Sequence, residues 1–150
     1  YMEEASAKGT EIVTPVDAIY ASEFSNEAQT EVRPIEDLEG GELGAEGQGL
    51  DVGPETNKLF AEKIKSAQTI FWNGPVGVAE FSTFAEGTKS VAEAIVASDG
   101  FSIIGGGDSA AAVRNLGYAD DQFGHISTGG GASLEYIEGK TLPGLDALGA

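Results

Sequence analysis

The sequence predicts an α/β fold in which a parallel sheet is covered by helices, and three features carry that prediction. Short apolar runs at Thr69-Ile70-Phe71-Trp72, Phe101-Ser102-Ile103-Ile104 and His125-Ile126-Ser127-Thr128 alternate with segments of helical periodicity. Buried parallel strands joined by crossover helices read this way. Each run ends in a glycine-rich turn: Asn73-Gly74-Pro75, Gly105-Gly106-Gly107-Asp108-Ser109 and Gly129-Gly130-Gly131-Ala132-Ser133. The length of 150 residues with 41% hydrophobic content suffices for one domain with a real core.

Element by element, Tyr1 to Lys8 read as the last turns of a helix with Gly9 as a left-handed cap. So abrupt a start suggests a piece cut from a longer chain. Glu11 to Ala21 are β-prone, and Pro15 argues for an edge or a break. Residues 22–49 are polar, acidic and glycine-rich, a surface loop or hairpin with a short strand possible at Glu31 to Ile35. Pro54 occupies a first helical position, and Leu59, Phe60 and Ile64 form one apolar face, giving a helix over about 54–66. A second helix spans 83–98, with Phe84, Val91, Ala94, Ile95 and Val96 in helical order, Gly87 a local weakness and Gly100 the stop. A short alanine-rich helix follows over Asp108 to Leu116, and a last one runs through Tyr136 and Ile137. The resulting βαβαβα order implies a Rossmann-like three-layer sandwich, with binding at the carboxyl ends of the strands.

Charge narrows the partners. The net charge of −17 argues against nucleic acid or an anionic membrane surface. Residues 1–52 hold 13 acids against Lys8 and Arg33, whereas residues 53–150 hold 12 acids against six basic residues, so the second half is the better place to bind an anion. No apolar stretch approaches the roughly 18 to 20 residues that span a bilayer, and there is no secretory leader, so a soluble, cytoplasmic protein is expected. Cysteine is absent, which excludes disulfides and thiolate metal sites.

A strand that stops in glycines and passes into a helix offers bare backbone N–H groups and the positive end of the helix dipole to an anion. Repeated at neighbouring strands, this suggests a nucleotide site along one sheet edge. Gly105 to Ala110 match the G-x-G-x-x-A dinucleotide pattern, but the acidic residue expected about 20 positions on is replaced by Ser127-Thr128-Gly129. No Walker A sequence is present. Asp108 is either a helix-start carboxylate favoured by the dipole or a magnesium ligand beside phosphate oxygens. Gly107 and Gly131 either satisfy turn geometry or donate backbone N–H groups to phosphate. His125, the single histidine, opens a strand without a partner carboxylate and reads as structural or solvent-facing, Trp72 and Phe71 as core or pocket wall, and Glu36 to Glu46 as solvated surface.

Four blocks, Leu50-Asp51-Val52-Gly53-Pro54-Glu55-Thr56, Trp72 to Glu80 (WNGPVGVAE), Ile103 to Ala112 (IIGGGDSAAA) and His125 to Glu135 (HISTGGGASLE), resemble phosphoglycerate kinases, as does the closing Glu138-Gly139-Lys140-Thr141-Leu142-Pro143-Gly144. The likeness runs in order through most of residues 10–148 and is to the carboxyl-terminal, nucleotide-binding domain of that family, truncated at its first strands. The resemblance implies a monomer that transfers a phosphoryl group between 1,3-bisphosphoglycerate and ADP, giving 3-phosphoglycerate and ATP, with Mg2+, in glycolysis. It places adenine against Gly49, Leu50 and Asn73-Gly74-Pro75, with Val78 nearby and Glu80 on the ribose. Asp108 takes the metal, Gly106, Gly107 and Ser109 lie by the phosphates, and Gly129, Gly130 and Gly131 present a helix start to the transferring group. Ser127 and Thr128 fall in the hinge region. The family's amino-terminal substrate domain, with its basic patch and arginine, and its glycine-lysine loop have no counterpart here, so the 150 residues alone are expected not to turn over. The alternatives are a non-catalytic module that keeps the fold and only binds, and a dehydrogenase.

Overall fold

A computed structural model of the chain describes residues 1–127 and 129–149. Two three-stranded sheets organise it. The first is antiparallel, in the order β2-β1-β3, from β1 (Asp17–Ala21), β2 (Thr30–Pro34) and β3 (Gln48–Val52). The second is parallel, in the order β4-β5-β6, from β4 (Thr69–Asn73), β5 (Phe101–Gly105) and β6 (His125–Ser127). The helices are α1 (Met2–Ala7), α2 (Pro54–Ser66), α3 (Glu86–Val96), α4 (Gly107–Asn115), α5 (Gly130–Ile137) and α6 (Pro143–Leu148). Helices α3 and α4 are the crossovers of the parallel sheet, as the βαβαβα reading requires.

The first sheet enlarges the picture drawn from the sequence. Residues 22–49 do form a hairpin arm, with β2 at 30–34, but β3 was not anticipated, because Gln48-Gly49-Leu50-Asp51-Val52 has neither alternation nor a β-branched run. The strand expected from Glu11 begins only at Asp17. Pro15 has no N–H to give a ladder, and the Val16 N–H donates instead to Thr56 Oγ1 at 2.9 Å. Helix α1 ends as expected, at Gly9 with φ +72°. The helix expected over 83–98 divides into a 3₁₀ turn at Ser82–Phe84 and α3. Gly87 is less a weakness than a close approach, since a Cβ there would collide with the Asp51 carboxylate.

Packing on the parallel sheet is one-sided. Ile70, Trp72 and Ile104 point into a core shared with Val91, Ala92 and Ile95 of α3, Val113 of α4 and Phe123. The alternate residues face the other way, where Phe101 is 54% exposed and Phe71 and Ile103 line an apolar groove of about 470 Å3 with Tyr136, Leu142 and Leu145. A smaller core of Ala21, Leu50 and Phe84, flanked by Val78 and Phe81, joins the antiparallel sheet to the segment after β4. Ile104 is fully buried. Truncation to alanine there should cost about 2–5 kcal/mol in urea unfolding.

Helix α2 is capped across the fold. Its N-cap, Gly53, has no side chain, and Asp17 of β1 supplies the missing acceptor: its carboxylate takes the N–H of Glu55 at 3.0 Å and of Thr56 at 2.8 Å. The fully buried Thr56 hydroxyl in turn accepts from the Val16 N–H and the Asp17 N–H and donates to Asp17 Oδ1 at 2.6 Å. Burial pushes the Asp17 carboxyl up, yet the bonds from Thr56 and Glu55 outweigh it and hold the group below its ordinary 3.8. A depressed carboxyl contributes stability that is complete above its unfolded value and is lost as pH falls through the native one. Thr56→Val should therefore cost about 1–3 kcal/mol at neutral pH by urea unfolding. It should also flatten the loss of stability below pH 4, and an unchanged acid limb would contradict this account of the cap.

Candidate functional site

Register sets the site. Asn73 pairs with Gly105, and Gly105 with Ser127, so the three strands of the parallel sheet finish level with one another. Each then turns into a segment lacking side chains. Gly106, with φ +95°, is the N-cap of α4, and Gly129 is the N-cap of α5. Asn73 Oδ1 lies between them, and a Cβ at Gly130 would come within 2.7 Å of that oxygen and of Gly106 Cα. Only glycine lets two helix starts approach so closely.

The product is a polar cleft of about 240 Å3 lined by Asn73, Gly74, the Gly105 to Ser109 segment, Gly130 and Gly131. Neither helix start is capped by a described side chain. A side chain at Gly107 or Gly131 would meet nothing within 4 Å, so glycine there leaves the backbone bare toward the cleft. The N–H groups of two first turns, with the positive ends of two dipoles, therefore face one space. Asp108 stands exposed at the rim, and it also lines a neighbouring 110 Å3 depression with Pro75 and Glu80. No lysine or arginine lines the cleft among the described residues.

The turn after β4 is held on every side. The Trp72 indole N–H donates to the Gly74 carbonyl at 2.7 Å, and the Gly74 N–H, where φ is +99°, donates to Ser109 Oγ at 2.7 Å. Thr88 of α3 accepts the Val76 N–H at 2.9 Å and donates to the Val76 carbonyl at 2.6 Å. The Val78 N–H donates to the Leu50 carbonyl of β3 at 2.9 Å. The carboxylate next to it, Asp51, is 6% exposed and accepts from the N–H of Val52 and of Gly87. Burial pushes its carboxyl up to about 6, against the pull of the Gly87, Val52 and Glu86 backbone N–H groups, and the Glu86 charge adds to the rise.

Of the residues singled out from the sequence, Asn73, Gly74, Gly106, Gly107, Asp108, Ser109, Gly130 and Gly131 are brought together in the cleft, and Pro75 and Glu80 adjoin it through Asp108. Ser109 is fully buried, so its hydroxyl holds the Gly74 turn rather than standing free in the cleft. Gly49 and Leu50 line a separate apolar depression of about 310 Å3 with Asp51 and Gly77, and Leu50 is chiefly core. They reach the cleft only through the turn at 74–78. Ser127 and Gly129 lie on the apolar groove, where the Ser127 hydroxyl accepts the Gly129 N–H, and His125 is exposed on the same groove. Thr128 is outside the described residues. Thr88 went unnoticed in the sequence. Its trace was a hydroxyl on the stripe otherwise filled by Phe84, Val91, Ala92 and Ile95, where a buried polar group demands a partner.

The acidic stretch expected to be solvated runs through a 3₁₀ turn, Ile35–Gly40, where Arg33 binds Asp37. Among the described residues no three carboxylates or imidazoles converge as a metal cage. No helix there is long and apolar enough to cross a membrane.

Comparison with known proteins agrees with this arrangement. A family model described as phosphoglycerate kinase matches residues 1–140. The phosphoglycerate kinase of Leifsonia xyli is 57% identical over 149 residues, 99% of this chain and 37% of that protein. That of Streptomyces coelicolor is 55% identical over 149 residues, with the same shares. Among solved structures, phosphoglycerate kinase from Coxiella burnetii superposes with a TM-score of 0.84 at 40% identity, covering 94% of this chain and 35% of that one. The enzyme from Pyrococcus horikoshii gives 0.80 at 35% identity, covering 98% and 34%. The chain thus spans little more than a third of the length of the relatives it matches. With the α/β fold, the glycine strand ends, a family model over residues 1–140 and identities of 57% and 55% to the Leifsonia and Streptomyces enzymes, the chain belongs to the phosphoglycerate kinase family.

Proposed function

We propose that this chain supplies the nucleotide-binding part of a phosphoglycerate kinase, which transfers a phosphoryl group between 1,3-bisphosphoglycerate and ADP to give 3-phosphoglycerate and ATP. The observation that carries the reading is the pair of uncapped glycine helix starts opening on one cleft with a carboxylate at its rim. A loose phosphoryl transition state offers little covalent chemistry, so the work left to the protein is positioning and donation to the equatorial oxygens. Backbone N–H groups of Gly107 and Gly131 are suited to it. Glu80, beside Pro75 on the adjoining depression, is placed to accept from ribose hydroxyls.

The donor set fits magnesium. Mg2+ takes one or two carboxylates and completes its shell with phosphate oxygens and water. Among the described residues Asp108 is the one carboxylate on the cleft, and its exposure leaves it free to reach an ion held against a polyphosphate. When bound, the ion would offset the mutual repulsion of the phosphates. Among the described residues the cleft has no cationic side chain. We assign the remaining positive charge, and the phosphoglycerate site, to the portion of these enzymes that lies outside the matched third, an amino-terminal substrate domain and the first strands of this one. The chain by itself then binds nucleotide in the cytoplasm of its cell as a monomer without turning over, since an arginine at the transferring group is worth about 10³ to 10⁵ in rate.

Titration with MgADP, followed calorimetrically and by the emission of Trp72, tests this. Binding is expected, and Asp108→Ala should weaken MgADP by about tenfold or more while changing metal-free ADP little. Gly107→Val should abolish binding with folding stability intact, because the new side chain enters open cleft rather than protein. A cooperatively folded chain that binds no adenine nucleotide would overturn the assignment. ATP formation from 1,3-bisphosphoglycerate by the chain alone would overturn the division of labour.

A further inference from the structure

The geometry points to Asp51 as a positioning residue for the adenosine side of the site: its buried carboxylate clamps the turn at residues 74–78 to the start of α3. The wall of Pro75, Val78 and Glu80 then keeps its place only while that carboxylate accepts both of its backbone N–H groups. This rests on the nucleotide reading above and adds to it a residue that reaches the site through others.

Asp51 sits where three elements meet. One oxygen accepts the Val52 N–H at 2.8 Å and the other the Gly87 N–H at 2.9 Å, across 36 residues of chain. The carboxylate also lies directly on Gly77 and Gly87, where a Cβ at either would collide with it, and Gly77 has φ +67°. From Gly87 the link continues to Thr88, which binds the Val76 N–H and carbonyl. From Leu50, the residue before Asp51, it continues to the Val78 N–H. The middle of the turn and its far end are thereby bound to residues next to those that the carboxylate holds.

Nothing about folding alone asks for a charge here. A buried carboxylate with no cation beside it is costly, and an apolar residue of similar size avoids that cost. Among the described residues, the charged side chain that acts on Asp51 is Glu86 of α3, which repels it. Ile19 faces it from β1, while the nearest carboxylate of that strand, Asp17, is engaged with the start of α2. On α2, Glu55 and Lys58 pair with each other at the surface. Val52, Val76 and the Phe84 carbonyl complete the surroundings. Protonation puts a hydrogen on one oxygen and weakens the group as an acceptor of backbone N–H groups. The hold on Gly87 loosens, and the turn is released where Gly77 rests on the carboxylate, while Thr88 still binds Val76. Because the carboxyl titrates at about 6, the release falls within the stable range of most domains.

The sign of the effect separates positioning from scaffolding. A carboxyl raised in the folded state favours the fold at low pH, and that contribution is lost as pH rises from the ordinary 3.8 to about 6 and then levels off, so stability should fall as the site begins to order. The test is amide NMR on the whole chain between about pH 5 and pH 8, with adenosine as the probe because it carries no titrating phosphate. The amides of Val52, Gly77, Val78 and Gly87 and the Trp72 indole N–H should shift together, with one midpoint near 6. Glu86→Gln should lower that midpoint, and Asp51→Asn should remove the transition. Adenosine affinity should weaken about tenfold one unit below the midpoint, following the fraction of ionised, competent protein, and Asp51→Asn should bind weakly at every pH. A transition confined to Val52 and Gly87, or one that survives in Asp51→Asn, overturns the clamp; Glu86→Gln and the wild-type titration decide it even if Asp51→Asn fails to fold. Adenosine binding that ignores pH while the turn titrates overturns its role in the site. Absence of adenosine binding at all pH values overturns the nucleotide reading, while the amide titration still decides whether the clamp exists.

Discussion

The close approach of Gly106 and Gly130 over the Asn73 amide is the constraint on which the rest of the structure depends. It requires three parallel strands to end in register, two helices to start without side chains, and a turn after β4 that keeps Asn73 from swinging away. Ser109 and Thr88 satisfy the last condition, and both are fully buried hydroxyls that would be liabilities without their backbone partners. A cleft made of backbone has little freedom to rearrange, and it is already shaped before a ligand arrives. Donors fixed in advance need no reorganisation when an anion arrives.

Charge follows the same logic at larger scale. With 25 acids against 8 basic residues, the chain repels anions at long range. Screening reduces that field within about 8 to 10 Å, whereas uncapped N–H groups act by contact. The acids are also unevenly spread: 13 of them precede residue 53, on α1, the antiparallel sheet and the loops and 3₁₀ turns around it. Of the acids that remain among the described residues, only Asp108 reaches the cleft. A hard carboxylate at an anion site is an obstacle without a cation and a ligand with one.

The two faces of the parallel sheet are unequal. One is closed by α3 and α4 around Ile104, and the other leaves Phe101 exposed beside a groove walled by α5 and α6. Parallel sheets are ordinarily covered on both sides. The cleft lies at the strand ends, between the start of α4 on the closed side and the start of α5 on the open one, so its glycine geometry is complete while a neighbouring surface is open.

Much of this was legible in the residues themselves. Apolar runs of four, helical stripes such as Leu59, Phe60 and Ile64, and Pro54 at a helix start are local signals, and α2, β4, β5 and α4 appear within a residue or two of where they were expected. The glycine turns were legible because positive φ and bare backbone leave a compositional mark. Strand β3 was not legible, since its partner β1 lies some thirty residues away and pairing, not propensity, makes it a strand. Helix α6 and the cap that Asp17 lends to α2 were hidden for similar reasons. By itself the sequence determined the βαβαβα order of the second half, the glycine-rich strand ends and the family, because those depend on residue type and near neighbours. Only the tertiary structure decided that Ser109 faces the turn, that Gly49 and Leu50 stand apart from the cleft, and that Asp51 is buried between two glycines, because each depends on which distant segments share one space.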